Sequence, residues 1–132
     1  MTTAVDSSLL IDLLVDDPRF ADHSQDLLHE ALALGVVVAC PVVWAEVRGQ
    51  FANTTAMAQA MARAGVEFDG FDLACADLAG LRWIEYRRAG GSRTRLLGDF
   101  LVGAHASVRG GRLLTRDRGF YRRYFPDLEI LG

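Results

Sequence analysis

Four acids sit in contexts where a carboxylate could do more than solvate a surface: Asp6 in "TAVDSS", Glu46 in "PVVWAEV", Asp99 in "GDFLV" and Asp117 in "LLTRDRG". The last is the oddest. An apolar run ends at Thr115, and a single carboxylate then stands between Arg116 and Arg118, with Arg122 and Arg123 just beyond. Each acid has an ordinary role available. Asp6 could cap a helix, and Asp99 could favour a helix N-terminus by about 0.3–1 kcal/mol. Glu46 could be a surface residue, although its apolar neighbours argue against full exposure. Asp117 could pair with Arg116 or Arg118 for roughly 0–1 kcal/mol. Gathered at one place, the four mean something else. Carboxylates within about 4–6 Å raise one another's pKa, and the cluster stays ionised only with a cation. Oxygen-only donors favour a hard ion, Mg²⁺ or Mn²⁺. No His/Cys grouping competes for zinc: His23 and His29 share one early helix, and His105 reads as a packed helix residue. Such an ion lowers the pKa of a bound water, fixes a phosphodiester and offsets charge on the leaving oxygen.

Positioning those acids is the work of the elements around them. "TAV" is a short strand ending at Asp6, and "SSLLIDLL" follows as a helix with Leu9, Leu10, Leu13 and Leu14 at helical spacing and Ser7 or Ser8 as N-cap. "DHSQDLLHEALALG" is a second helix closed by Gly35. "VVVAC" is a β-branched strand buried on both sides, and Pro41 then suits the start of a helix over "VVWAEVRGQF". "TTAMAQAMARAG", the strand "VEF" and the helix "DLACADLAGLRWIEYRRAGG" come next. After the basic loop "GGSRTRL", the helix "GDFLVGAHASVRGG" leads to the strand "RLLT", a loop with a helical turn over "RDRGFYRRYF", and a last strand "LEIL". This alternation predicts one α/β domain over residues 1–132, with a parallel sheet of four to five strands and helices on both faces. In such sheets ligands gather beyond the carboxyl ends of the strands. Asp6 and Asp117 follow strands, Glu46 lies in the helix after the second strand, and Asp99 opens the helix leading into the fourth.

Composition narrows the function further. The chain has 132 residues, 51% hydrophobic and 23% charged, which suits one globular domain. No apolar run reaches the ~18 residues of a membrane span. "MTTAVDSS" has no basic region ahead of an apolar stretch, so no secretory signal is expected. Cys40 and Cys75 lack metal-ligand spacing and are expected as reduced core thiols in a cytoplasmic protein. The net charge of −3 hides an asymmetry: residues 1–80 carry three arginines against twelve acids, residues 81–132 eleven against five. All fourteen basic residues are arginine. The basic half could hold phosphate, with Arg93, Arg95, Arg116, Arg118 and Arg122 as candidates for contact with a nucleic-acid backbone. Phe120, Tyr121 and Tyr124 could stack unpaired bases, or anchor the turn in the core as Phe125 is expected to do.

"VDSSLLIDLL", "WAEV", "GDFLVGAHA" and "LLTRDRGFYRRYFPDLEIL" together resemble the PIN-domain ribonucleases, most closely the VapC-type toxins of bacterial toxin–antitoxin modules. The resemblance spans essentially the whole chain. It implies a PIN-like parallel α/β fold and Mg²⁺- or Mn²⁺-dependent endoribonuclease activity. Carried over by position, it makes Asp6 and Asp99 the principal metal ligands, with Glu46 and Asp117 binding metal directly or through water. Ser7 and Thr115 match supporting hydroxyls. It also implies a homodimer or a heterotetramer with a cognate VapB-type antitoxin, whose tail often pushes an arginine toward the acids. The early helices and "TTAMAQAMARAG" are expected to form the antitoxin groove and dimer contact. Two departures stand out. Gly103 replaces a further acid that some members carry, which bears on a second metal. Cys40-Pro41 replaces the usual Ser or Thr cap.

Two other readings fit part of the pattern. A receiver or haloacid-dehalogenase-like phosphoryl-transfer domain also sets acids at strand ends, but needs a lysine, and this chain has none. A catalytically silent PIN-like binding module would keep the fold without the chemistry, and metal binding separates it from a nuclease.

Overall fold

The computed structural model describes residues 1–91 and 97–132. The elements run β1 (Thr2–Val5), α1 (Ser7–Leu14), α2 (Ala21–Leu34), β2 (Val36–Ala39), α3 (Pro41–Val47), a 3-10 turn (Arg48–Gln50), α4 (Thr54–Ala64), β3 (Val66–Phe68), α5 (Leu73–Arg88), α6 (Leu97–Arg109), β4 (Arg112–Leu114), α7 (Arg118–Tyr124) and β5 (Glu129–Leu131). The order matches the one expected from the sequence, and the short "LEIL" stretch supplies the fifth strand.

All five strands are parallel, in the spatial order β3-β2-β1-β4-β5. The chain therefore winds outward from β1 in one direction through β2 and β3, then returns to place β4 on the other side of β1. A cleft opens where connections diverge like this, beyond the carboxyl ends of the two central strands. Register decides what meets there. Val5 lies opposite Leu114, so the next residues, Asp6 and Thr115, emerge side by side. The Asp6 amide donates to the Leu114 carbonyl at 2.9 Å, which continues the ladder by one residue.

β-branched and small apolar residues make these strands. Val5, Val37, Ala39, Leu113 and Leu114 are almost completely buried, as expected of a sheet covered on both faces. Side-chain caps set three helix starts: Asp6 for α1, Asn53 for α4 and Asp72 for α5. Pro41 occupies the first turn of α3, and Gly65 closes α4 in the left-handed region at φ 77°.

Some faces differ from expectation. In α1 the buried set is Leu9, Leu10 and Asp12, while Leu14 is exposed. The α4 methionines, Met57 and Met61, point into the core, so that helix presents no large apolar residue to solvent. Exposed apolar side chains lie instead on α5, as Leu73, Leu81 and Ile84, near the ends of α1 and α2, and at Phe68 of β3 and Leu97 and Val108 of α6. Phe120, Tyr121 and Phe125 are buried and pack with Phe100 in one aromatic cluster, its rings 4.9–6.5 Å apart. Stacking on unpaired bases is therefore closed to Phe120 and Tyr121. Cys40 and Cys75 are both free and buried.

Candidate active site

Asp6 is the most enclosed of the four acids, 9% exposed at the carboxyl end of the central strand. Its two oxygens have different jobs. Oδ1 caps α1 by accepting from the Ser7 amide at 2.8 Å, and Oδ2 accepts from the Thr115 hydroxyl at 2.8 Å. Thr115 is fully buried, and its Oγ1 in turn accepts from the Asp117 amide at 3.0 Å. One threonine hydroxyl thus ties Asp6 to the backbone of Asp117, 111 positions later in the chain by residue number. Ser7 does something similar on the other side: its hydroxyl donates to Glu46 Oε1 at 3.2 Å. Both hydroxyls expected as supports are in contact with expected acids.

Asp99 lies in the first turn of α6, half-buried, and Asp117 is the N-cap residue of α7, also half-buried. The electrostatics place all four acids in one neighbourhood. Burial pushes the Asp6 carboxyl above its ordinary value; the Thr115 and Ser7 hydrogen bonds oppose this, and the charges of Asp99 and Asp117 add to it. Glu46 is exposed as a residue, yet its carboxyl is also raised. Partial desolvation is the first cause, with Asp6 and Asp99 adding to it against the Ser7 hydrogen bond. Tyr121 reports on the whole set. Its buried hydroxyl is pushed upward, first by burial and then by Asp6, Asp99, Asp117 and Glu46 together. Nothing in the sequence reading singles out Tyr121 for this place, although its spacing of four from Asp117 on one short helix is a usable signal.

The donor chemistry fits a hard divalent cation: the facing side chains named above offer carboxylate and hydroxyl oxygens. Among the described residues, no three His, Cys, Asp or Glu side chains close into a ready-made cage, so the acids stand near one another without converging on a point. Cys40 borders the site as the cap residue of α3, with a thiol raised by burial first and in part by Asp6. Gly103 is filled from outside. A Cβ built there would run into the Phe125 ring, so no acid fits at that position without moving an aromatic of the core.

The arginines divide. Arg93 and Arg95 lie outside the described residues. Arg118 and Arg122 are exposed on α7. Arg116 is not directed at solvent alone: its Nε and Nη2 lie 2.8 and 2.9 Å from the two oxygens of Asp12. Asp12 itself is 2% exposed, which its polar side chain does not announce in the sequence. The readable signal is its position three residues after Leu9, on the buried face of α1. A second ion-pair group joins the β3–α5 connection to α6. Asp69 takes His105 Nε2 at 2.7 Å and Arg109 Nε at 2.6 Å, and Arg109 Nη1 reaches Asp72 at 2.9 Å. His105 is therefore a packed helix residue, as expected, 1% exposed and held by Asp69.

The PIN-domain family model matches residues 3–126. The chain belongs to the PIN-domain family. No curated protein sequence is matched. Solved structures do match this PIN domain. VapBC-1 from nontypeable Haemophilus influenzae is 16% identical with a TM-score of 0.73, over 100% of this chain and 98% of that one. VapBC2 from Rickettsia felis, bound to a DNA fragment from their promoter, is 16% identical with a TM-score of 0.72, over 99% and 98%. A toxin–antitoxin complex from Klebsiella pneumoniae is 20% identical with a TM-score of 0.66, over 98% and 96%. At these identities the likeness is one of fold. Among the described residues, no helix is long and apolar enough to cross a membrane.

Proposed function

We propose that this PIN domain is a metal-dependent endoribonuclease and the toxin of a type II toxin–antitoxin pair. Supporting the reading are its family and the VapBC complexes among its structural neighbours. The observation that carries it is Asp6: a buried carboxylate held by two hydrogen-bond donors and pressed by the charges of Asp99 and Asp117. A charge in that setting is stabilised far better by a cation than by more neutral donors. Asp6, Glu46, Asp99 and Asp117 would hold Mg²⁺ or Mn²⁺. When bound, the ion supplies Lewis-acid activation of water and charge neutralisation at the scissile phosphate.

The chain's own residues do the rest. Thr115 fixes Asp6 and the Asp117 backbone relative to one another. Ser7 orients Glu46. Glu46, exposed and with a raised carboxyl, is the acid suited to orient an attacking water and take its proton. Arg118 and Arg122 supply positive charge for the RNA backbone. The partner is a cognate VapB-type antitoxin, in a homodimer or heterotetramer in the cytoplasm. Exposed Leu73, Leu81 and Ile84 make one stripe along α5, a better apolar surface for an apposed helix than α4.

The test is cleavage of single-stranded RNA together with Mn²⁺ calorimetry, on the wild-type chain and Asp99→Asn. Cleavage and Mn²⁺ binding should both be lost in the variant while its fold persists. Cleavage that continues in excess EDTA would overturn the reading. A chain that binds no Mn²⁺ and cuts nothing would be the silent module instead.

A further inference from the structure

Arg116 separates Thr115 from Asp117, between two residues of the candidate site. An arginine in that position of a nuclease is naturally read as a phosphate contact. The geometry points elsewhere. Its guanidinium forks onto both oxygens of Asp12, at 2.8 and 2.9 Å, and lies 4.2 Å over the Phe20 ring. Asp12 also accepts from the Ser24 hydroxyl at 3.1 Å. One carboxylate thus joins three segments: α1, which carries it; α2, through Ser24; and the loop from β4 to α7, through Arg116.

Two of those segments hold candidate acids. Asp6 caps the start of α1, and Asp12 lies six residues further along, about 9 Å at the helical rise. The β4–α7 loop is clamped to α1 at both of these points, by Thr115 to Asp6 and by Arg116 to Asp12. Asp117 is the next residue, with its amide held by Thr115. A carboxylate that is 97% buried at its side chain must be paired, and a planar fork bound bidentately and stacked on a ring is ordered.

We infer that Arg116 and Asp12 form a positioning pair, which fixes the Asp117 loop against the helix capped by Asp6, and that Arg116 is not an RNA contact. The inference rests on the nuclease reading for its functional consequence and on the ion pair for its structural one.

Asp12 separates the two roles because, buried, it cannot touch RNA. The experiment compares wild type, Asp12→Asn, Arg116→Gln and the double variant in the full chain. Three quantities are read: kcat and KM on a single-stranded RNA oligonucleotide, the salt slope of KM, and amide hydrogen exchange of residues 115–118 against 112–114. Both single variants should lower kcat by about 10- to 100-fold, the scale of a misplaced catalytic group. They should leave the salt slope unchanged, and the double variant should be no worse than the poorer single. Exchange at the Asp117 amide should accelerate in both while β4 stays protected. Arg116→Lys keeps the charge and loses the fork, so it should fold and fall between wild type and Arg116→Gln. The inference is overturned if Arg116→Gln raises KM and flattens the salt slope while Asp12→Asn does neither, or if Asp117 exchange is unmoved by both. Should the wild-type chain cleave no RNA, the nuclease reading fails, and the exchange data alone decide the positioning pair.

Discussion

Thr115→Val removes a single hydroxyl from a fully buried position and keeps the shape of the side chain. Two hydrogen bonds go with it: the one donated to Asp6 Oδ2 at 2.8 Å, and the one accepted from the Asp117 amide at 3.0 Å. A hydrogen bond to a charged group is worth about 1.5–3 kcal/mol and a neutral one about 0.5–1.5. The expected loss of stability near pH 7 is therefore on the order of 2–4 kcal/mol, with the larger share at Asp6. The sign with pH follows from the direction of the Asp6 shift. Its folded carboxyl is already raised, so stability on its account is fully present below the ordinary aspartate value and is lost as pH rises through the folded value. Without the Thr115 donor the folded value rises further. The deficit of Thr115→Val should then grow from acid to neutral pH.

Urea unfolding followed by circular dichroism, with EDTA present throughout, measures this. In an Asp6→Asn background no charge remains, and an asparagine can still accept from the Ser7 amide. Thr115→Val should there cost only about 1 kcal/mol, the neutral share, which leaves a coupling of roughly 1–3 kcal/mol between the two sites. Thr115→Ser keeps the hydroxyl and should recover most of the loss. Equal costs of Thr115→Val in the two backgrounds, or a variant as stable as wild type at pH 7, would refute the reasoning.

Gly103→Asp should not create a fuller metal site: with the Phe125 ring against that position, overpacking of about 1–3 kcal/mol should lower Tm by several degrees in calorimetry, with no added Mn²⁺ bound. An unchanged Tm with a second ion bound would show that the ring gives way. Burial holds the His105 imidazole below its ordinary value despite the pull of Asp69, so its contribution to stability is present above about pH 6.5 and lost as pH falls below it. His105→Gln should flatten that loss in denaturation curves between pH 7 and 5, and an identical pH profile would exclude it. Arg118→Gln and Arg122→Gln should each flatten the salt dependence of RNA binding by about 0.7 in logarithmic slope, measured by fluorescence anisotropy; an unmoved slope would make them structural.

The element order was legible because its signals are local. Pro41 starts α3, Gly35 and Gly65 close α2 and α4, and the run of valines in β2 needs no partner to be recognised. Strand order was not legible, and with it the adjacency of Asp6 and Thr115, because both depend on β1 pairing with β4 across most of the chain. Their meeting followed only from family resemblance. Burial of individual residues was read with mixed success for the same reason. Leu14 continues the helical spacing of Leu9 and Leu10 yet faces out, while Asp12 faces in, since an acid three residues from a core leucine can be buried only if a distant arginine arrives to meet it. Periodicity marks such a face, but not the partner. The α4 methionines erred the other way: their surplus of apolar surface, expected at a partner interface, fills the core.

The chain's arginines clarify what is unusual about the site. Elsewhere, acids that pack against other elements are met by guanidinium groups: Asp12 by Arg116, Asp69 and Asp72 by Arg109, Glu129 by Arg112. Against the upward push of burial, the His105 and Arg109 hydrogen bonds lower the Asp69 carboxyl, and Asp72 is brought to about 2 by the Cys75 amide first and then Arg109. Asp6 and Glu46 are treated differently. Their hydrogen-bond donors are the Thr115 and Ser7 hydroxyls and the Ser7 amide, groups that orient a carboxylate without cancelling its charge, and both carboxyls are raised rather than lowered. An arginine in either place would stabilise the fold and occupy the oxygens that a metal needs. A sequence with fourteen arginines thus sets hydroxyls beside these two acids, and under the proposed function a cation would meet their charge. Under the proposed function, an arginine from an antitoxin's tail paired with Asp6 would compete with the cation for those oxygens. Free arginine or guanidinium, added at concentrations well below those that unfold the chain, should compete with Mn²⁺ in calorimetry; competition no stronger than that of sodium at equal ionic strength would remove this account of inhibition.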